Sequence, residues 1–302
     1  MNQVTAIDLG SNSFRVLIYD CLNNKVLGEH NEVVGMADGL SETNCISNEA
    51  QQRVVDAINT SSEKLGYDPS KAICVTTAAM RLANNSTEVL SYFKKQTGAQ
   101  FKIIDGKEEA RLTLLAVKYA LKREKINSSK FILLDIGGGS TEIIVSDEDE
   151  SISHSFNFGI VTLTQKYDNY EDLNKELQAH KKDIKNFLEE NSVDTKDYTF
   201  VATAGTPTTI AAIKLGQDFF HYDKDAVNGT KIKIKDLDEC LELFRNSSTS
   251  TITKLVGRGR VEFIEVGVYI YKTIFEVLDK KESIVLDDGL REGVAINSCL
   301  LR

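Results

Sequence analysis

One pattern of apolar and polar positions occurs twice in the chain. Residues Val4–Tyr19 form an apolar run, a short turn with the letters G-S-N-S, and a second apolar run. Residues Phe131–Val145 repeat this order around the letters G-G-G-S. Short apolar runs that flank a tight turn of small residues are typical of β-hairpins. Two copies far apart in one chain indicate a duplicated domain in which each half opens with a hairpin.

Each hairpin has a carboxylate at the end of its first strand. Superposing Asp8 on Asp135 also aligns Gly10 with Gly137. Consecutive glycines let a ligand approach the main chain, and successive N–H groups can bind an anion. An ordinary hairpin tip would explain the glycines alone, but a carboxylate at the end of a buried strand needs a partner such as water or a metal ion. We therefore predict that the two hairpins together clamp a phosphate group.

The remaining pattern predicts an α/β protein with two domains. Strands are predicted near 25–34, 73–76, 101–104, 151–158, 200–203, 231–234 and 284–286. Helices are predicted near 48–65, 87–96, 170–191, 236–244 and 261–278, with one more after Asp105 and a last one after Gly289. We assign residues 1–124 to the first domain and 125–288 to the second, and expect 289–302 to pack back on the first.

A candidate general base lies at the start of the helix after Asp105. Asp105 and Glu108 fit a capping box. Adjacent helical residues point about 100° apart, so Glu109 can project away from the cap into a cleft. The alternative is that both glutamates are solvated acids favoured by the helix dipole. Arg81 follows strand 73–76 at its carboxyl end, where open α/β sheets place ligand groups.

Two other segments are candidates for phosphate binding. Gly205 and Thr206 join strand 200–203 to a helix, whose first N–H groups and positive dipole end suit an anion. Arg258 and Arg260, with Lys254, form a basic cluster where helix 261–278 is predicted to begin. A solvated helix start is the alternative, but basic groups at a helix N-terminus oppose the dipole.

Composition and charge favour a globular protein over a membrane protein or a nucleic-acid-binding protein. With 302 residues, 41% apolar and 27% charged, the chain is long enough for two globular α/β domains. It has neither an apolar run of membrane-spanning length nor the layout of a signal peptide. The net charge of −9 argues against nucleic-acid or membrane binding. A polyanionic ligand would therefore need local basic residues, main-chain N–H groups and a divalent cation.

The cysteines and histidines suggest no metal cluster. The four histidines are isolated, and the cysteines have no C-x-x-C spacing. We expect the cysteines to be free buried thiols in a reducing cytoplasm. They are Cys21, Cys45, Cys74, Cys240 and Cys299.

Common nucleotide and nucleophile motifs are absent from the sequence. A strand follows the glycines at 137–139, whereas a Rossmann fingerprint requires a helix there. No Gly-Lys-Ser/Thr follows them, which excludes a P-loop. No Gly-x-Ser-x-Gly elbow or Cys/His pair supports a covalent nucleophile. What remains is an actin-like fold (ribonuclease H-like, ASKHA), in which phosphate is held in the cleft between two duplicated domains.

Four motifs then resemble the exopolyphosphatase/guanosine pentaphosphate phosphohydrolase family. They are I-D-L-G-S-N-S-F-R at 7–15, E-E-A-R at 108–111, L-D-I-G-G-G-S-T-E at 134–142 and D-G-L-R-E-G-V at 288–294. Their order matches that family over essentially the whole chain. The resemblance implies hydrolysis of terminal phosphate from inorganic polyphosphate or from the guanosine penta- and tetraphosphates of the stringent response. It also implies Mg²⁺ or another divalent cation, and it is compatible with a homodimer.

The resemblance also implies roles for individual residues. Glu109 activates the attacking water, and Glu142 helps to position it. Asp135 and Glu142 bind the cation. The resemblance implies that the phosphate chain is held by Ser11, Asn12, Arg81, Gly137, Gly138 and Gly139. On the residue patterns described above, we also expect phosphate or substrate contacts from Gly10, Ser13, Arg15, Ser140, Gly205, Thr206, Arg258 and Arg260.

Two departures from the family pattern shape the expected substrate. Larger members carry a further C-terminal helical domain that binds long polyphosphate, so we expect little processivity here. Arg15 stands where several relatives have histidine, which favours guanosine penta- or tetraphosphate.

Two other classes of function stay open. One is an alarmone sensor that binds guanosine tetraphosphate without hydrolysis, and the other is a small-molecule kinase of the same superfamily.

Overall fold

The computed structural model describes residues 3–148, 150–167 and 169–301, and the chain folds into two compact units. The first unit consists of residues 1–118 together with 288–302. The second consists of residues 119–287. Each unit is built around one β-sheet.

The first unit contains a five-stranded sheet in the order β3-β2-β1-β4-β5. Its strands are β1 (Gln3–Leu9), β2 (Ser13–Asp20), β3 (Lys25–Val33), β4 (Ile73–Thr76) and β5 (Phe101–Ile103). Its helices are α1 (Leu40–Thr43), α2 (Asn48–Leu65), α3 (Ala78–Leu82), α4 (Ser86–Thr97), most of α5 (Gly106–Arg123) and, from the end of the chain, α13 (Leu290–Leu300). The last turn of α5, from residue 119 onward, belongs to the second unit. A 3-10 turn covers Pro69–Lys71. β1 is antiparallel to β2 and parallel to β4, and β4 is parallel to β5.

The second unit contains a six-stranded sheet in the order β10-β11-β9-β6-β7-β8. Its strands are β6 (Lys130–Ile136), β7 (Thr141–Asp147), β8 (Glu150–Phe156), β9 (Thr199–Thr203), β10 (Lys231–Lys233) and β11 (Glu282–Val285). Its helices are α6 (Ile160–Lys166), α7 (Tyr170–Glu190), α8 (Gly205–Lys214), α9 (Lys224–Val227), α10 (Ile234–Arg245), α11 (Thr249–Val256) and α12 (Ile264–Leu278). Two 3-10 turns cover Thr195–Asp197 and Phe219–His221.

The two sheets share one topology around their central strands. In each unit, three antiparallel strands form a meander, and the first of them pairs in parallel with the strand that follows the meander's helices. β3-β2-β1-β4 in the first unit therefore corresponds to β8-β7-β6-β9 in the second. The shared topology confirms the two equivalent hairpins that the sequence predicts.

The central strands are buried because helices cover the sheets. On β1, Ala6, Ile7 and Leu9 have no exposed surface, and on β6 the same is true of Ile132–Leu134. Strands buried on both faces have continuous apolar sequences, which is why these segments lack strict alternation. In the second unit α12 is buried along most of its length.

Several predicted details of the helices are wrong. The letters N-x-x-Q at 48–51 resemble a capping box that would begin at Asn48. The N-cap of α2 is instead Ser47, whose side chain accepts a hydrogen bond from the amide of Ala50. Residues 160–166, for which no helix is predicted, form α6. Helix α12 begins at Ile264 instead of residue 261, since the preceding segment is a turn.

The expectation that all cysteines are free is also wrong. Cys21 and Cys299 form a disulfide, with a Cα–Cα distance of 5.4 Å. Cys45, Cys74 and Cys240 are free, and burial raises the thiol pKa of Cys74 and of Cys240 to about 12. The pairing joins positions 278 residues apart in sequence, a separation over which spacing carries no signal.

Across the described ranges, none of the helices combines the length and the apolar character needed to cross a bilayer.

Candidate functional site

In each hairpin, the opposed pair one position before the turn lies in equivalent register. In the second unit Asp135 on β6 lies directly opposite Glu142 on β7. In the first unit Asp8 on β1 lies directly opposite Arg15 on β2. Directly opposed residues of an antiparallel pair project from the same face and interact. The second unit thus places two carboxylates side by side, and the first places a carboxylate beside a guanidinium group.

The glycine turn of the second unit is held by the start of α6. Within the turn, the amide of Gly137 donates to the carbonyl of Ser140 over 2.9 Å. The carbonyls of Gly137 and Gly138 accept the amides of Ile160 (3.1 Å) and Val161 (2.8 Å), respectively. These carbonyls satisfy amides at the N-terminus of α6, which would otherwise have no partner within the helix. The helix therefore fixes the turn that contains Gly137–Ser140.

The corresponding turn of the first unit is held by a loop instead of a helix. The amide of Gly10 donates to the carbonyl of Ser13 over 2.9 Å. The carbonyl of Asn12 accepts the amides of Val34 (2.9 Å) and Gly35 (3.1 Å). Ser11 and Asn12 are both buried, with 4% and 6% of their surface exposed.

Arg53, which the sequence pattern does not single out, anchors that loop. Its Nε donates to the carbonyl of Val34 over 2.6 Å, and its Nη2 donates to the carbonyl of Gly35 and to Asp38. Burial raises the pKa of Asp38, and the charge of Arg53 partly offsets this. Arg53 thus supports the segment that binds the turn at Ser11 and Asn12.

Glu109 and Arg81 form a partly buried ion pair in the first unit. Arg81 Nη1 donates to Glu109 Oε2 and to the carbonyl of Ile104, each over 2.8 Å. Glu109 is 9% exposed. Arg81 comes from α3 after β4 and Glu109 from the first turn of α5 after β5, so neighbouring parallel strands bring them together.

The neighbouring Glu108 points elsewhere. Its amide donates to Asp105 Oδ1 over 2.8 Å, as in the predicted capping box. Its carboxylate, however, binds the guanidinium of Arg111 at two nitrogens, over 2.7 and 2.9 Å. These hydrogen bonds lower the pKa of Glu108. The two adjacent glutamates therefore have different partners, and only Glu109 contacts Arg81.

The segment around Gly205 and Thr206 follows the strand next to Asp135. Thr203 on β9 lies in parallel register with Asp135 on β6, and the chain then enters α8 at Gly205. Ala204 makes this connection with a φ of 73°, a conformation that costs a non-glycine residue roughly 1–3 kcal/mol. Thr206 is 2% exposed.

The predicted basic cluster at a helix start is wrong in its placement. Lys254 lies in α11 and forms an ion pair with Asp218 over 3.5 Å. Arg258 and Arg260 lie in the turn between α11 and α12, before the helix begins at Ile264.

Asp135 and Glu142 suit a hard divalent cation that keeps some ligands of its own. Mg²⁺ prefers oxygen donors and usually takes one or two carboxylates, with water and substrate phosphate completing an octahedron. Within the described residues, no group of three or more His, Cys, Asp or Glu side chains could hold a metal ion. The pair at Asp135 and Glu142 therefore fits Mg²⁺ shared with a phosphate, and it does not fit a closed protein cage.

Ser155 is a further site residue that the motifs do not predict. On β8 it lies directly opposite Glu142, and its Oγ donates to Glu142 Oε1 over 2.7 Å. The sequence offers a weak signal, because serine recurs at Ser151, Ser153 and Ser155 with the period of a strand. Only the register between β7 and β8 shows which serine meets the carboxylate.

Known proteins resemble this chain over almost all its length. The Ppx/GppA phosphatase family matches residues 18–301. The guanosine-5'-triphosphate,3'-diphosphate pyrophosphatase of Aliivibrio fischeri is 30% identical over 96% of this chain and 58% of its own length. The same-named protein of Photobacterium profundum is also 30% identical, with the same coverage. The chain thus spans about 58% of the length of these relatives.

Solved structures agree with these matches. A Ppx/GppA family member from Aquifex aeolicus is 26% identical, with a TM-score of 0.73 over 99% of this chain and 98% of that one. An exopolyphosphatase from Cytophaga hutchinsonii is 22% identical, with a TM-score of 0.80 over 98% and 97% of the two chains. The predicted α/β fold of the actin-like type is therefore confirmed, and the chain belongs to the Ppx/GppA phosphatase family.

Proposed function

We propose that this chain is a phosphohydrolase that releases terminal phosphate from guanosine pentaphosphate or inorganic polyphosphate with the help of Mg²⁺. The observation that carries the proposal is the pairing of Asp135 with Glu142 beside the glycine turn. Two adjacent carboxylates next to a turn rich in main-chain N–H groups suit a phosphate that brings its own cation. A bound Mg²⁺ would neutralise charge on the phosphate oxygens.

In the proposed reaction Glu109 is the general base. Its carboxylate accepts a proton from water as the water oxygen bonds to the terminal phosphorus. The bridging P–O bond breaks, and the shortened chain leaves with the electron pair. Preorganised donors that stabilise charge on the equatorial oxygens supply much of the rate enhancement in such transfers.

Arg81 supports this reaction in two ways. It fixes the carboxylate of Glu109 through Nη1. An arginine has five N–H donors, and those of Nε and Nη2 suit a phosphate oxygen. Each hairpin turn would supply main-chain N–H groups to phosphate, as would the start of α8 at Gly205 and Thr206.

Guanosine pentaphosphate is the preferred candidate of the two substrates. Arg15 lies where the second unit has Glu142, so the first hairpin adds a positive charge beside Asp8. Relatives named for guanosine pentaphosphate hydrolysis are 30% identical to this chain. Arg258 and Arg260 remain candidates for contacts to the rest of the nucleotide, and a homodimer remains a prediction.

The first test is phosphate release. The protein is incubated with Mg²⁺ and guanosine pentaphosphate, polyphosphate or ATP, and free phosphate is measured. Release from either of the first two supports the proposal. Tight binding of guanosine tetraphosphate without release from any substrate would indicate a sensor. ADP formed only when acetate or a sugar is added would indicate a kinase.

We expect Glu109→Gln to retain substrate binding and to lower turnover at least about a hundredfold, because general-base catalysis contributes that much. Glu108→Gln is the matched control, since Glu108 is in the same helical turn but binds Arg111. Steady-state phosphate release and equilibrium binding of the nucleotide measure the two effects. Turnover near that of the wild type would contradict the role of Glu109.

We expect Asp135→Asn to raise the Mg²⁺ concentration needed for half-maximal activity, because an amide is a poorer ligand for a hard cation than a carboxylate. Asp147→Asn, at the far end of the same hairpin and paired with Lys130, is the control. The measurement is a Mg²⁺ titration of phosphate release at fixed substrate. An unchanged titration for Asp135→Asn would remove it from the proposed cation site.

A further inference from the structure

Three residues in one row cross the sheet of the second unit at the proposed cation site. Asp135, Glu142 and Ser155 occupy directly opposed positions on β6, β7 and β8. All three project from one face of the sheet, because directly opposed positions share a face. Ser155 Oγ donates to Glu142 Oε1 over 2.7 Å.

The equivalent positions in the sheet of the first unit make different contacts. There the opposed positions on β1, β2 and β3 are Asp8, Arg15 and Asn31. The side chain of Asn31 accepts a hydrogen bond from Arg291 of α13. The third position thus anchors a helix in the first unit, whereas in the second it contacts the carboxylate of the proposed cation site.

The hydrogen bond from Ser155 stabilises the buried carboxylate of Glu142. Glu142 is 1% exposed, and a buried carboxylate is costly unless hydrogen bonds compensate for lost solvation. β8 is the outermost strand of its sheet, and Ser155 is only half-buried. Ser155 therefore contributes a hydrogen bond to the carboxylate of Glu142 from a position that is only partly within the core.

We propose that Ser155 is a positioning residue for the phosphohydrolase reaction. Its hydroxyl holds one oxygen of Glu142, which fixes the orientation of the carboxylate next to Asp135 for a divalent cation. Residues that orient a metal ligand typically change metal affinity by about 10- to 100-fold when they are replaced. The inference rests on the proposed function, since it assumes that Glu142 binds the cation.

The test uses Ser155→Ala, with two matched variants. Ser155→Thr keeps the hydroxyl and favours a strand. Ser153→Ala removes a hydroxyl from the same strand and face, opposite Ile144. Mn²⁺ binding to the full chain without substrate is followed by the electron paramagnetic resonance signal of free Mn²⁺. The Mg²⁺ dependence of phosphate release is measured in parallel.

We expect Ser155→Ala to weaken Mn²⁺ binding about 10- to 100-fold and to raise the half-saturating Mg²⁺ concentration by a similar factor. Ser155→Thr should restore most of the affinity, and Ser153→Ala should match the wild type. Wild-type Mn²⁺ affinity in Ser155→Ala would overturn the inference. So would Ser155→Thr binding as weakly as Ser155→Ala while its thermal melting is unchanged.

Glu142→Gln separates this inference from the proposed function. If Glu142→Gln loses Mn²⁺ affinity while Ser155→Ala does not, only the positioning role fails. If Glu142→Gln binds Mn²⁺ as the wild type does, the assignment of Glu142 as a cation ligand fails, and the role of Ser155 fails with it.

Discussion

At the scale of single residues, equivalent positions in the two hairpins have different charges. Arg15 and Glu142 occupy the same position opposite an aspartate, so one hairpin offers a cation and the other a second carboxylate. In the proposed function the duplicated scaffold would provide two kinds of phosphate contact. One would use the guanidinium group of Arg15, and the other a divalent cation held by the carboxylates.

Gly159 lies against the turn at 137–140, and replacing it tests whether the position of that turn matters for activity. Its φ of −151° is accessible to any residue, but a Cβ there would lie 2.6 Å from the carbonyl oxygen of Gly137 and 2.5 Å from that of Gly138. We expect Gly159→Ala to displace the turn and to lower kcat/KM for phosphate release about tenfold or more, because small misplacements of binding groups are costly.

Gly28→Ala is the control for that substitution. A Cβ at Gly28 would lie 3.2 Å from Leu65 Cδ2, a side-chain atom that can move. Circular dichroism establishes that both variants are folded before kinetics are compared. Wild-type kcat/KM in Gly159→Ala would show that the turn tolerates displacement.

Some site residues could be predicted from the sequence, and others could not. Glu109 and Asp135 follow from short motifs, because the turn or cap that positions each residue is encoded next to it. The partners of such residues come from distant segments, as with Ser155 and Glu142 or Arg53 and the carbonyl of Val34. Strand register and loop packing decide those contacts, and neither is visible in the local pattern.

At the scale of elements, predicted strands and helices mostly agree with the structure, with ends shifted by a few residues. Helix α2 and strand β4 have the predicted bounds. Helix α6 escapes prediction because its seven residues are too few for a clear helical period. Helix α12 begins three residues later than predicted, because residues 261–263 form a turn.

Helix α7 contains a histidine whose titration should affect stability. His180 stacks on Phe158 at a centroid distance of 3.9 Å. Burial lowers the pKa of His180, with Glu176 and Asp183 acting to raise it and Lys166 to lower it. A histidine whose pKa is lower in the folded state favours folding above its ordinary pKa of about 6.5. This contribution is lost as the pH falls below that value.

We therefore expect the melting temperature to fall between about pH 7 and pH 5, and part of that fall to disappear in His180→Phe. Phenylalanine preserves the stacking on Phe158 and does not titrate. His221→Gln is the control, because the side chain of His221 is 80% exposed. The comparison is of melting temperatures across this pH range, and equal slopes for His180→Phe and the wild type would contradict the assignment.

At the scale of the whole molecule, net charge affects ligand binding, and contacts between the two ends of the chain stabilise the first unit. The net charge of −9 opposes a polyanionic ligand, so the proposed substrate would have to be bound by local groups such as Arg81, Arg15 and the turn amides. Contacts between the ends of the chain also shape the first unit. Arg291 of α13 binds Glu29 of β3 over 2.7 Å, and such long-range pairs cannot be predicted from spacing.

The disulfide between Cys21 and Cys299 joins residues that are 278 positions apart in sequence, farther than the 262 positions between Glu29 and Arg291. Cys21 lies in the turn after β2 and Cys299 in the last turn of α13, so the bond fastens the C-terminal helix to the sheet of the first unit. In the chain-entropy description, closing a loop of 278 residues restricts the unfolded chain and stabilises the fold, and losing a native disulfide costs about 2–5 kcal/mol.

We expect the double replacement Cys21→Ser/Cys299→Ser to lower the free energy of unfolding by about 2–5 kcal/mol, measured by urea denaturation without reductant. Cys45→Ser is the control, because Cys45 is free and partly exposed. Alkylation of the unfolded chain should modify only Cys45, Cys74 and Cys240 before reduction and all the cysteines after it. Modification of Cys21 and Cys299 without reductant would show that the bond does not form in solution, and the double variant should then unfold like Cys45→Ser.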